Sequence, residues 1–276
     1  MMYSRQTSFR QRAAMLIELM VSTTIVLITG GIIFTMLNTG TILFAKNTAI
    51  NMAHQQARTA VLQMEQDLHS AVSIPQLCDA TKTAVAGNGP AAGISFQLYA
   101  KGPLQVASSA STGQNQIIIA VNGYVPVVGQ RLCIPTHQVE LDIIGVSSGT
   151  TNRTLTLASP LPVDVLTTLY DPATNQNVAV NVVCFITDRI YYVVSGSELR
   201  YFAPTQPPTG RLMANDITTT TPFSIPLTPA GAQYNRFVAA INLSTADDRS
   251  SNRGFKAANM FLNSMVPYRA RLCITQ

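Results

Sequence analysis

The feature that most constrains this chain is an apolar run at residues 12–45, which reads RAAMLIELMVSTTIVLITGGIIFTMLNTGTILFA. Glu18 is the only formal charge between Arg12 and Lys46. A helix rises about 1.5 Å per residue, so about twenty apolar residues are enough to cross a hydrocarbon core of about 30 Å. The run therefore predicts a helix that crosses a membrane.

Glu18 distinguishes this run from a plain membrane anchor. A charged side chain within a membrane helix costs on the order of a few kcal/mol unless a partner neutralises it. No intramembrane cation and no catalytic centre elsewhere in the sequence supplies an obvious partner. The position of Glu18 therefore predicts a partner that comes from processing or from another molecule.

The stretch Ala13-Ala14-Met15-Leu16-Ile17-Glu18, after a short basic leader at residues 1–13, resembles the class III signal of type IV pilins and of type II secretion pseudopilins. The resemblance implies that a prepilin peptidase cuts between Ala13 and Ala14 and methylates the new amine of Ala14. Glu18 would then be the fifth mature residue. Ala13 stands where Gly is usual in the family, and Ala14 stands where Phe is usual.

In such a family Glu18 has a role in assembly. Cleavage frees an ammonium at Ala14, and the carboxylate of Glu18 can pair with the ammonium of a neighbouring subunit inside lipid, where an unpaired ion is costly. The alternative is a secretory signal or simple anchor. A secretory signal has a shorter apolar core, of about 7 to 15 residues, and a cleavage site after it, and this sequence fits neither feature.

The charge distribution argues against a nucleic-acid partner. The formal net charge is +5, and removal of the leader with Arg5, Arg10 and Arg12 leaves +2. No Lys/Arg run with interleaved aromatic residues follows. The leader charges instead hold the N-terminus in the cytoplasm. We therefore expect a single-pass protein of the bacterial inner membrane with a periplasmic head, which becomes part of an extracellular filament if it assembles into one.

The four cysteines all follow the apolar run, where an oxidising compartment would permit disulfides. They are Cys78, Cys133, Cys184 and Cys273. The sequence leaves open whether they form one or two bridges or remain buried thiols. No C-x-x-C spacing occurs and the three histidines are scattered, so we expect neither a metal site nor a cofactor.

Residues 46–75 predict an amphipathic continuation of the membrane helix, which Pro75 ends. Small or apolar residues recur there at nearly helical spacing. They are Ile50, Ala53, Ala57, Val61, Met64, Leu68 and Val72. This region is similar to that of larger minor pilins, namely the J-type pseudopilin and the W-type minor pilin. Its apolar face is expected to dock a head domain.

Residues 76–276 predict an antiparallel β-rich head, because short β-prone runs alternate with turn residues. The predicted strands are 94–100, 116–123, 131–135, 139–147, 153–159, 178–196, 198–203, 237–245 and 268–275. The turn Ser195-Gly196-Ser197 predicts a hairpin. Residues 79–93, 161–178 and 204–233 are predicted loops. The fold class is therefore α+β, a long N-terminal helix on a β-rich head, which is a pilin-like layout.

The sequence offers no catalytic motif, and we expect no enzyme. Asp247 and Asp248 lie in a predicted loop at 244–254, but two adjacent acids lack the alternating spacing of calcium ligands. The expected organisation is a leader at 1–13, an assembly helix at 14–45, an amphipathic helix at 46–75 and a head at 76–276. The expected function is a minor pilin or pseudopilin subunit of a filament, near its tip. The alternative is a membrane-anchored binding module whose helix serves as a tether.

Overall fold

The structure is a computed structural model that describes residues 4–225, 237–245 and 260–268. Side chains are described for residues 14–225 and 239–243. The predicted loop at 244–254 lies outside these residues from position 246 onward, which includes Asp247 and Asp248, and Cys273 also lies outside them. The predicted strand at 268–275 also lies outside them, apart from Tyr268.

Within the described residues the chain forms one α-helix, one short 3-10 turn and fourteen strands. The helix α1 is Ser4–His69 and the 3-10 turn is Pro135–His137. The strands are β1 (Gln76–Cys78), β2 (Gly93–Val106), β3 (Gln116–Ala120), β4 (Gln130–Ile134), β5 (Val139–Val146), β6 (Asn152–Leu157), β7 (Thr168–Asp171), β8 (Gln176–Ala179), β9 (Val183–Ser195), β10 (Glu198–Phe202), β11 (Arg211–Ala214), β12 (Phe223–Ser224), β13 (Phe237–Thr245) and β14 (Met260–Tyr268). The expected α+β layout, one long apolar helix with a large antiparallel β domain, is confirmed.

The helix α1 has 66 residues and a length of about 100 Å. It begins at Ser4, before the predicted start near Ala14, and it ends at His69, before Pro75. The helix ends before Pro75 because the residues that follow His69 bond to the sheet. The Val72 amide donates to the Gln97 carbonyl at 2.9 Å, and the Gln97 amide donates to Ser73 Oγ at 2.9 Å. Because the backbone after His69 pairs with β2, it leaves the helical path.

The predicted apolar stripe on the second half of α1 is confirmed. Its members Ala53, Ala57, Val61, Met64 and Leu68 are buried, and Ile50 is half-buried. Ala60, which the prediction omitted, is buried beside them. This stripe packs against a core of sheet residues that includes Ile94, Phe96, Ile190, Tyr192 and Leu199.

Two long strands, β2 and β9, each take part first in a sheet that lies against α1 and then in a barrel. Their ends nearest the helix pair with β1 and β10, and β11 completes this sheet beneath α1. The pairing of β2 with β9 starts at Gly93↔Val193 and continues to Gln105↔Val183. Register shifts fall between Tyr99 and Leu104. Such irregularities bend a strand and increase its twist, which lets the same pair turn away from the helix.

Beyond this bend the strands close into a six-stranded barrel. The order β2-β3-β6-β5-β4-β9 ends on a strand that pairs with β2 again. Every pairing in the ring is antiparallel. The barrel has a core of its own, made of Leu104, Val106, Ile117, Ile119, Leu132, Ile134, Val139, Ile143, Leu155, Leu157, Cys184 and Ile186, with several neighbours. Within the described residues, the head therefore contains two cores.

Most of the predicted strands are confirmed, and several loops are corrected. The predictions at 94–100, 116–123, 131–135, 139–147, 153–159, 198–203 and 237–245 each overlap a strand. The hairpin at Ser195-Gly196-Ser197 is confirmed, because Glu198 pairs with Ser195. The loop prediction for 161–178 is wrong where β7 and β8 form a hairpin. The loop prediction for 204–233 is wrong at β11 and β12.

Candidate assembly site on the N-terminal helix

The first half of α1 presents apolar side chains that contact no other part of the described chain. The described residues contain one helix long and apolar enough to cross a membrane, with a mean hydropathy of 2.1 in its most apolar 18-residue window. None of that window is buried. Leu27 is 75% exposed and Phe44 is 74% exposed. Apolar area of this extent requires lipid or another protein to cover it.

Most hydroxyl groups of this segment are satisfied within the helix. Ser22 Oγ donates to the Glu18 carbonyl at 2.8 Å, and Thr24 Oγ1 donates to the Met20 carbonyl at 2.7 Å. Thr29, Thr35 and Thr41 make the same kind of bond to a carbonyl three or four residues earlier. Because these hydroxyls need no water, their presence is compatible with a lipid environment.

Glu18 differs from these hydroxyls because its carboxylate has no internal partner. Within the residues whose side chains are described, it makes no hydrogen bond and no ion pair, and it is exposed. Lys46 is the next charged residue toward the C-terminus and lies about 42 Å away along the helix. In a membrane-spanning helix, a carboxylate in this position would need a cation from outside the described helix.

Ala13 and Ala14 lie within the continuous helix of the uncut chain. The rise from Ala14 to Glu18 is about 6 Å, which is about one helical turn. A helical side chain leans toward the N-terminus, so the Glu18 carboxylate points in the direction of Ala14. After a cut between Ala13 and Ala14, the ammonium and the carboxylate would therefore lie at the same end of the helix.

The cysteines do not form two bridges. Cys78 and Cys184 are buried free thiols, while Cys133 is disulfide-bonded. Burial raises the pKa of the Cys78 thiol to about 11 and that of Cys184 to about 12. Thiols with such pKa values are almost wholly protonated at neutral pH and are poor nucleophiles.

A carboxylate on the docked half of α1 links the helix to the sheet. Asp67 Oδ2 accepts a hydrogen bond of 2.5 Å from the hydroxyl of Tyr192, which is fully buried. Burial raises the pKa of Asp67, and this outweighs the lowering by the Tyr192 hydrogen bond and by the nearby Arg211. The period of the helix indicated which face docks, but nothing in the sequence indicated this pair.

A second polar group, also missed by sequence reasoning, lies where the barrel meets the sheet. Gln130 is fully buried on β4, and its Nε2 donates to Tyr124 Oη and to Asp188 Oδ1, each at 2.8 Å. Burial raises the pKa of Asp188. The three residues are spread over 65 positions of sequence, counted from Tyr124 to Asp188, so no local pattern could reveal them.

The three histidines do not converge on a site. His54 and His137 are half-buried at separate places in the fold, and His69 is exposed at the end of α1. Within the described residues, no group of three or more His, Cys, Asp or Glu side chains is arranged to hold a metal ion.

The fold and the exposed helix together define an α+β protein with a candidate membrane-spanning segment in the first half of α1. Comparisons of the chain with protein-family models, with curated proteins and with solved structures find no match.

Proposed function

We propose that this protein is a minor pilin-like or pseudopilin-like subunit that assembles through α1 into a filament of the type IV pilus or type II secretion kind, near its tip. A prepilin peptidase removes residues 1–13. Before assembly, the subunit lies in the inner membrane with its head in the periplasm. Its partners are the other subunits of the filament. Its work is structural and involves no catalysis.

The observation that carries this proposal is a single unpaired carboxylate on an apolar helix, most of whose hydroxyl groups bond to the helix itself. Most hydroxyls of the segment bond to their own helix, whereas Glu18 has no partner within the described side chains. A carboxylate retained in lipid at a cost of a few kcal/mol indicates a specific cation. The methylated amine of Ala14 on a neighbouring subunit has the required charge and the required depth.

A photocross-linking experiment tests the role of Glu18. A photoreactive residue replaces Leu19, which is 66% exposed beside Glu18, and cross-links to other subunits are counted in cells. We expect Glu18→Gln to reduce these cross-links at least about fivefold, which corresponds to about 1 kcal/mol. Extraction with alkaline carbonate should show that the variant stays in the membrane.

Thr24→Val is the matched control. It also removes a polar group from the apolar half of α1, but that hydroxyl bonds only to the Met20 carbonyl of its own helix. We expect cross-links at the level of the unchanged chain. If Glu18→Gln cross-links as well as Thr24→Val does, Glu18 has no role in assembly. Mass spectrometry of the isolated chain supplies the second check: a methylated Ala14 supports processing, and an intact Met1 argues against it.

The barrel favours a second candidate, a binding module on a membrane anchor. The barrel has its own core and is not needed for docking α1, and it adds surface and loops to the head. The two functions are compatible, since a subunit near a filament tip can also bind. The two candidate functions differ in the role of α1. A helix that serves only as a tether would tolerate Glu18→Gln without loss of function.

A further inference from the structure

A cleft lies where the barrel meets the outer face of the sheet, on the opposite side from α1. It encloses about 380 Å³, a volume within the usual range for small-molecule sites. The barrel contributes Val128 and residues 142–144. The β9–β10 hairpin contributes Arg189, Tyr191 and Phe202, and the loop at 204–208 closes one side.

The lining of the cleft is largely apolar and aromatic. Tyr191 and Phe202 are direct partners across the β9–β10 hairpin, so their rings project from the same face of the sheet. Val128 and Ile144, on the barrel side, are 54% and 55% exposed. Pro204 adds a rigid apolar surface. The rings of Tyr191 and Phe202 are half-buried, so part of their surface remains exposed to the cleft.

Cations exceed anions along this lining. Lys82 Nζ lies 4.4 Å from the centroid of the Phe202 ring, a cation–π contact that positions the ammonium over the cleft. Arg189 is half-buried and has no hydrogen bond or ion pair within the described part of the chain. The one carboxylate in the lining is Asp142, and its Oδ1 already lies 2.6 Å from Arg131 Nε.

We propose that this cleft binds a small organic carboxylate that carries an aromatic ring. The ring would lie against Tyr191 and Phe202, and the carboxylate would pair with the guanidinium of Arg189, which is suited to bidentate contact. Such a group occurs in a free aromatic acid and at a peptide C-terminus that ends in an aromatic residue. The site is independent of α1 and does not rest on the proposed assembly.

Methyl NMR of the full chain in lipid nanodiscs tests the site. The probe is 3-phenylpropionate, and the signals to follow are the methyl groups of Val128 and Ile144. Leu169 and Val178 on the β7–β8 hairpin serve as internal controls, because they are 50% and 48% exposed and lie outside the cleft. We expect saturable shifts at Val128 and Ile144 only.

Two further compounds separate charge from apolar contact. Both 3-phenylpropanol, which keeps the ring without the charge, and acetate, which keeps the charge without the ring, should bind at least about fivefold more weakly. Acetyl-Gly-Gly-Phe distinguishes the source of the ligand. Tighter binding of this peptide than of 3-phenylpropionate supports a peptide C-terminus, and equal or weaker binding supports a free acid.

Arg189→Gln should weaken binding of 3-phenylpropionate at least about fivefold and leave binding of 3-phenylpropanol unchanged. The exposed Arg58 on α1 provides the matched control, since Arg58→Gln removes the same charge far from the cleft. Unchanged methyl spectra without ligand would show that both variants are folded. Equal binding of acid and alcohol, equal shifts at Leu169 and Val178, or no effect of Arg189→Gln would each overturn the proposal.

Discussion

Asp67 and Tyr192 show how one side-chain pair fixes the helix on the head. Their hydrogen bond crosses from α1 to β9, between residues 125 positions apart in sequence. The carboxylate is partly removed from water, so its pKa is raised, and Arg211 only partly compensates. Asp67 therefore provides an acceptor for the buried Tyr192 hydroxyl, but its partial burial disfavours the charged form of the carboxylate.

The pH dependence of this pair follows from that raised pKa. Because folded Asp67 binds its proton more tightly than unfolded Asp67 does, its contribution to stability is greatest at low pH. The contribution falls as pH rises from the usual pKa near 4 through the higher folded value. Asp67→Asn keeps an oxygen acceptor for Tyr192 and cannot ionise. We expect it to remove this fall, as measured by urea unfolding at pH 4 and at pH 7.

Asp67→Ala is the contrasting variant of the same experiment. It leaves the buried Tyr192 hydroxyl without an acceptor, which costs about 1–3 kcal/mol of the free energy of unfolding. If Asp67→Asn and Asp67→Ala had the same stability at every pH, the hydrogen bond to Tyr192 would contribute nothing.

At the scale of elements, the two halves of α1 have different surroundings. Its first half is apolar on all sides and uncovered, and its second half is apolar along one stripe that the sheet covers. The change from one pattern to the other follows Lys46 in the sequence, where the prediction placed it. The C-terminal end of α1 differs from the prediction because tertiary pairing with β2 competes with the helix after His69.

The docked stripe makes a direct prediction for single substitutions. Met64 is fully buried against the sheet, so Met64→Ala should lower the free energy of unfolding by about 2–5 kcal/mol. Leu62, on the other side of the same turn, is 55% exposed, and Leu62→Ala should change it by less than about 0.5 kcal/mol. Chemical denaturation of the full chain in nanodiscs measures both. Similar losses for the two variants would mean that the stripe is not what docks the helix.

The strands were predictable where their pattern is local. The runs that became β3, β5, β6 and β10 carry enough β-branched or aromatic residues between turns to be recognised. The pattern of β14 was missed, because Met260–Tyr268 contains Pro267, and proline argues against a strand unless it lies at an edge. Among the described residues, β12, β13 and β14 form a separate three-stranded sheet in that order, so β14 lies at its edge.

At the scale of the whole molecule, the described part of the head includes a helix-covered sheet and a closed barrel. The sequence could not predict this division, because closure depends on the pairing of β2 with β9 across about 80 intervening residues. The register shifts in β2, which separate the sheet from the barrel, also leave no periodic pattern in the sequence. The same reason explains why the cleft between barrel and sheet was not foreseen.

Two cores predict two separable responses to mutation. Ile119 is fully buried in the barrel, and Ile119→Ala should cost about 2–4 kcal/mol there. Amide hydrogen exchange should accelerate across β3, β5 and β6. It should change little in the docked half of α1, because that segment packs in the other core. Uniform acceleration over both regions would show that the head unfolds as one unit.

The shared strands β2 and β9 also determine how this head can change by insertion or deletion. Leu98 and Asp188 are paired neighbours at the point where the sheet gives way to the barrel. Residues 99–187 leave the helix-covered sheet at one place and return to it at that same place, where antiparallel partners are about 5 Å apart. A short hairpin turn could join these two positions without altering the strand order beneath the helix. The barrel thus has the geometry of an exchangeable cassette, which a lineage could gain, lose or replace while the helix and its docking sheet stay as they are.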